Sequence, residues 1–139
     1  MFKLIEEMDY HLNMSDEERI EQGKKAYNLT IGYIIKKFSG EDIYNLFFMI
    51  YSIFCCADCV IKHEEYEFFL KITDTNVTYE DFFNCMQNSH HNLNISAVFN
   101  YIRSEDEGFI QVVMVLMLCI FTCDHYIHRD EIKIIDEYF

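Results

Sequence analysis

Two sets of carboxylates recur in this chain at matching positions. Asp58 is followed by Ile61 and Glu65, and Asp124 by Ile127 and Glu131, so one Asp–Ile–Glu spacing appears twice at an offset of 66 residues. With the adjacent Glu64 and Asp130, these side chains could offer several oxygens to a hard cation such as Ca²⁺, Mg²⁺ or Mn²⁺, provided the two copies meet in space. The spacing is not that of an EF-hand, which needs a Gly at its sixth and a Glu at its twelfth loop position. The same acids have a plainer use. An Asp leaving one helix can cap the next, and acids in a first turn suit the helix dipole.

Sulfur and nitrogen ligands lie beside them. Cys56 and Cys59 form a C-x-x-C pair, and Cys119, Cys123, His125 and His128 occupy the equivalent region of the second copy. Zinc asks for four such ligands in a tetrahedron. However, Cys55, Cys56, Cys119 and Cys123 fall within apolar segments, where a cysteine behaves as a small hydrophobe, so zinc ranks behind the oxygen-liganded cations. Redox use of the C-x-x-C pair lacks its usual βαβ setting. Nothing points to an enzyme: the chain has no Gly-rich phosphate loop, no G-x-S-x-G and no H-E-x-x-H. His90 and His91 sit in a polar stretch and read as solvated.

The elements that must position these residues read as helices. Ser15 and Glu18 form a capping box that opens a helix over about residues 16–37, with Ile20, Ala26 or Tyr27, Ile31 and Ile34 on one face. Gly40 stops it, and Glu41 and Asp42 begin an almost wholly apolar helix over 43–57. Further helices are predicted over 63–72, from Thr78 (with Asp81) to about 88, over 95–104, over 109–123 and over 129–139, with breaks at 88–94 and 105–108. The expectation is therefore an all-α, single-domain bundle of about seven helices spanning residues 1–139. Its repeat halves, about 41–73 and 107–139, would form two pseudo-symmetric helix–acidic loop–helix hairpins.

Composition bounds the function. The chain has 139 residues, no proline and a formal charge of −13, with 11 Lys and Arg against 24 Asp and Glu. A hydrophobic fraction of 51% excludes a disordered polyelectrolyte. The acidity excludes nucleic acid and favours a basic protein partner. The apolar runs 46–57 and 112–123 are too short to span a bilayer, which takes about 20 residues. No secretory signal is visible in MFKLIEEMDYH, so a reducing cytoplasm is expected.

The stretch Ala57-Asp58-Cys59-Val60-Ile61, followed by Glu64-Glu65, resembles a variant of the Ala-x-Asp-Gly-x-Ile-x-x-x-Glu signature of tellurite-resistance TerB-like domains. The same signature marks the N-terminal domain of a membrane-anchored DnaJ-type co-chaperone. It normally appears twice, as here, and the resemblance covers roughly residues 41–139. It implies an all-α bundle of about seven helices whose acidic loops bind divalent cations, with Asp58, Glu65, Asp124 and Glu131 at the family positions. Where the family has a glycine after each Asp, this chain has Cys59 and His125, which would have to bear strain or bend the loop differently. Two functions are expected on this basis. The first is a non-enzymatic TerB-like domain that binds a divalent cation weakly or scaffolds a stress-response complex through its acidic loops. The second is a metal-free interaction module with an acidic docking face.

Overall fold

The computed structural model describes residues 2–57, 60–91 and 93–139, with Phe2 and Lys3 described by backbone alone. These residues form eight helices and no strand: α1 (Phe2–Asn13), α2 (Asp16–Ile34), α3 (Glu41–Cys55), α4 (His63–Thr73), α5 (Tyr79–His90), α6 (Ile95–Glu105), α7 (Glu107–Thr122) and α8 (Arg129–Tyr138). The all-α expectation holds, and the count is one higher. The added helix is α1, whose apolar stripe Leu4, Met8 is continued by His11, a polar residue that is nevertheless only 2% exposed. Its Nδ1 is met locally, 2.8 Å from the Glu7 carbonyl, whereas the buried Nε2 has no hydrogen-bond partner among the described residues. A buried histidine interrupts a purely apolar pattern, and this hid the helix.

The helix ends follow from the capping residues. Ser15 Oγ accepts from the Glu18 N–H at 3.1 Å, Thr78 Oγ1 from the Asp81 N–H at 3.1 Å, and Asn94 Oδ1 from the Ala97 N–H at 3.0 Å. Gly40 precedes α3 with φ +61, a backbone state that glycine enters without steric cost. The expected break at 105–108 narrows to Asp106, which ends α6 and caps α7 by accepting from the Gly108 N–H at 2.7 Å. One residue suffices because its extended backbone turns the chain. At the other expected break, α5 continues to His90, one helical turn into the polar stretch.

Helix α7 is the centre of the bundle. It buries nine residues, including Phe109, Leu116 and Phe121, and packs most extensively on α2, with α1, α3 and α6 also against it. The second large interface joins α3 to α5, and α4 closes on both α2 and α5. One hydrophobic cluster runs through α2 to α8, with Leu4 and Met8 of α1 laid against it. Aromatic rings bind the α3–α4–α5 side: Tyr51, Phe69 and Phe82 lie with centroids 5.1–6.2 Å apart, in the edge and tilted arrangements such rings prefer.

Helices α2 and α4 approach closely at Gly23, a buried position in the middle of α2. A Cβ there would lie 2.5 Å from Phe68 Cζ and 2.8 Å from Ile72 Cγ2, both on α4 and both buried. Mid-helix glycine costs about 1 kcal/mol in propensity relative to alanine. Overpacking a core typically costs about 1–3 kcal/mol. Two ring-and-branch neighbours would have to move together, so Gly23→Ala is expected to lower stability by about 1 kcal/mol net in urea denaturation, although it improves helix propensity.

Candidate functional site

The two loops expected to carry the chemistry, between α3 and α4 and between α7 and α8, meet in space. Lys62 of the first lies 3.2 Å from Asp124 Oδ2 of the second, with both side chains largely buried (17% and 15% exposed). Asp124 is engaged on every side. Its Oδ2 also contacts His128 Nε2 at 3.0 Å, and its Oδ1 accepts from the Tyr126 N–H at 3.1 Å. Asp58 and Cys59 lie outside the described residues.

Glu65 and Glu131 are each 2% exposed and occupy the third position of α4 and α8. There each turns back on its own helix: Glu65 Oε1 accepts from the Lys62 N–H at 2.8 Å, and Glu131 Oε1 from the His128 N–H at 2.7 Å. This is the glutamate half of a capping box. The capping residues themselves, Lys62 and His128, carry donors where a serine or threonine would stand. Their basic groups turn instead to Asp124. Of the remaining acids, Glu64 lines a cleft that Asp124 also borders, and Asp130 pairs at 3.5 Å with Lys133. Among the described residues, no three His, Cys, Asp or Glu side chains are placed to hold one metal ion.

His125 adopts φ +66, the left-handed conformation that a glycine would take freely. For a non-glycine residue that state costs about 1–2 kcal/mol. Two contacts offset it: the His125 N–H donates to the Thr122 carbonyl at 2.8 Å, and Nε2 lies 3.2 Å from Asp16 Oδ1. Asp16 in turn pairs at 2.8 Å with Arg19, whose side chain is 2% exposed. The guanidinium donates to Thr122 Oγ1 at 3.0 Å, to the His11 carbonyl at 2.6 Å and to the Met14 carbonyl at 3.3 Å. Between these groups and α4 opens a cleft of about 290 Å³ lined by Asp16, Arg19, Glu64, Glu67, Asp124 and His125, with Phe68 at its wall.

Sequence reasoning missed Lys62 and Arg19. The available signal for Lys62 was its alignment with His128 at the repeat offset, which put a nitrogen-bearing side chain beside each loop. No motif announces Arg19, because its role depends on the end of α7, more than a hundred residues away. His90, expected to be solvated, is partly buried at the end of α5, where burial lowers its pKa, whereas His91 is exposed.

The thiols are held neutral. Burial raises Cys119 from 9.0 to about 12, against an opposing pull from Arg19. Burial likewise raises Cys123, helped by the negative charge of Glu65 and Asp124. Cys55 lies well above its ordinary value, again through burial first and a hydrogen bond with Cys56 second. Tyr51, wholly buried with its hydroxyl donating to the Glu65 carbonyl at 2.8 Å, shifts upward in the same way. For Cys55, Cys119 and Cys123 burial thus disfavours the thiolate, the reactive form of a cysteine. No family model, no curated protein and no solved structure matches this chain.

These shifts carry a sign. A group whose neutral form is favoured in the folded state contributes stability that is complete below its unfolded value and is lost as pH rises toward the folded one. For Cys119 that window runs from 9.0 to about 12. Urea denaturation is expected to show stability level near pH 8 and falling above about pH 9, at up to about 1.4 kcal/mol per pH unit for each such thiol. Cys119→Ala should flatten part of that fall.

Proposed function

We propose that this chain is a non-enzymatic helical interaction domain of TerB-like type, which presents an acidic docking face to a basic protein partner without the help of a metal. The observation that carries this reading is the internal engagement of the loop acids. Glu65 and Glu131 each accept from the backbone N–H that begins their own helix, and Asp124 is shared between Lys62 and His128. A cation entering there would have to displace an ammonium group and break two helix caps. The surplus negative charge lies elsewhere, on exposed acids such as Glu17, Glu21, Glu41, Asp42, Glu80 and Asp81. Such a surface accelerates and orients encounters with basic partners.

The TerB-like assignment draws on the signature and on matching element bounds. Helices α3 and α7 begin at residues 41 and 107, and α4 and α8 at 63 and 129, each pair at the repeat offset. On this reading the two hairpins are related by pseudo-symmetry. The cation-binding alternative has one observation behind it, the meeting of the two loops at Lys62 and Asp124. A stress-response role belongs to either reading through the resemblance alone. No helix among the described residues is long and apolar enough to cross a membrane.

The test is fluorescence anisotropy of a labelled oligolysine peptide. Saturable binding that weakens as salt rises from about 50 to about 300 mM is expected, since screening shortens the reach of surface charge. An oligoglutamate peptide should not bind. Failure of oligolysine to bind at low salt would overturn the docking reading.

A further inference from the structure

Away from the loops, α3, α4 and α5 enclose an apolar pocket of about 190 Å³, lined by Phe48, Phe69, Val77, Phe82, Cys85 and Met86, with Asp81 as its one charged neighbour. Pockets for drug-sized ligands start at about 300 Å³. This one is sized for a single apolar side chain. It is also open to solvent at its rim, where Val77 is 39% exposed. Aromatic and methionine side chains together make an adaptable, polarisable lining, of the kind used to receive a partner's apolar anchor.

The mouth is braced. Tyr66 of α4 donates its hydroxyl to the Val77 carbonyl at 2.7 Å, and Tyr79 donates to the Ile61 carbonyl at 3.1 Å. The loop before α5 begins with Asp74 in the left-handed conformation (φ +54), and the following Thr75 N–H reaches back to the Leu70 carbonyl at 3.3 Å. Thr78 then caps α5. The pocket wall formed by this loop is therefore tied at several points before any partner arrives, which reduces the ordering cost of binding.

Charge specifies what fits. Between residues 38 and 61, which include α3, and between 72 and 102, which include α5, the chain contains no lysine or arginine. The acids Glu41, Asp42, Asp74, Glu80 and Asp81 are exposed on these stretches. Glu41 stands two turns before Phe48, on the stripe that Tyr44 and Phe48 form along α3. Lys71 of α4 lines the cleft beside Arg19 and Asp16 instead. The apolar pocket thus has Asp81 in its lining and further exposed acids along α3 and α5, with no lysine or arginine on either of those two helices.

We infer that the pocket between α3, α4 and α5 receives an apolar side chain from a basic amphipathic segment of a protein partner, whose flanking Lys or Arg residues meet Glu41, Glu80 and Asp81. This deepens the docking reading above and rests on it. It adds the place of contact, the anchor and the chemistry of the partner helix, in the manner of helix-in-groove recognition.

Two peptides of equal positive charge separate this inference from the reading beneath it. One is an amphipathic Leu/Lys peptide with leucines at helical spacing, and the other is oligolysine. Titrated into ¹⁵N-labelled protein, the Leu/Lys peptide is expected to bind about tenfold or more tightly, the gain from burying one leucine-sized side chain, with shifts centred on Val77, Phe82, Cys85 and Met86. Val77→Ser, at an exposed loop position that leaves the core intact, should remove most of that advantage while oligolysine binding stays unchanged. Glu80→Gln with Asp81→Asn should weaken both peptides. Equal affinity for the two peptides, or shifts centred elsewhere, overturns the inference and leaves the docking reading standing. Absence of binding by either overturns both. A Leu/Glu peptide binding as tightly as Leu/Lys overturns the charge argument.

Discussion

The buried guanidinium of Arg19 is the constraint on which the arrangement around the loops depends. A charge taken out of water is tolerated only when its donors are all met, and truncating such a group leaves its partners stranded. Arg19 meets two carbonyls at the end of α1, the Thr122 hydroxyl at the end of α7 and Asp16 at the start of α2. Thr122 Oγ1 in turn donates to the Leu118 carbonyl at 2.7 Å, so the hydroxyl is fixed by its own helix. One side chain thereby sets where three helix ends lie relative to each other. Asp16, held by Arg19, is then available to His125, and this contact supports the left-handed turn that leads the chain from α7 into α8.

From that turn the remaining geometry follows. Asp124 is directed to Lys62 across the junction and to His128 one turn ahead, and Glu131 closes the start of α8 as Glu65 closes the start of α4. Among the described residues of that acidic set, Glu65 and Glu131 thus act as caps and Asp124 as a link between the two loops. Largely buried pairs of this kind contribute specificity of docking as much as stability, because each charge is costly unless its partner is in place. Exposed acids stand instead on α2, α3 and α5, among them Glu17, Glu21, Glu41, Asp42, Glu80 and Asp81.

Much of this was legible from residue types. Ser15, Thr78 and the 66-residue offset located four helix starts to within two residues, because capping chemistry is local and the repeat supplies its own register. The apolar segments that became α3 and α7 were identified as buried, since a helix hydrophobic on nearly all sides has nowhere else to go. What could not be read was whatever depended on a distant partner. Glu65 and Glu131 gave the same signal whether they faced a cation or their own backbone. Glu105 lies against Lys37 at 2.7 Å with its side chain only 9% exposed, a pairing that nothing local in the chain announces. The pocket of Phe48, Phe69 and Phe82 is built by three helices, and no single helical stripe announces it.

The central proposal is that the described loop acids Glu65, Asp124 and Glu131 serve the fold rather than a metal ion. Paramagnetic relaxation by Mn²⁺, read residue by residue on ¹⁵N-labelled protein and paired with calorimetry for Ca²⁺, Mg²⁺ and Mn²⁺, tests it most directly. The account predicts no saturable heat and only weak, scattered broadening near exposed carboxylates. One-to-one binding heat, with broadening concentrated on residues 124–131 and abolished by Asp124→Asn in a protein that remains folded, would contradict it.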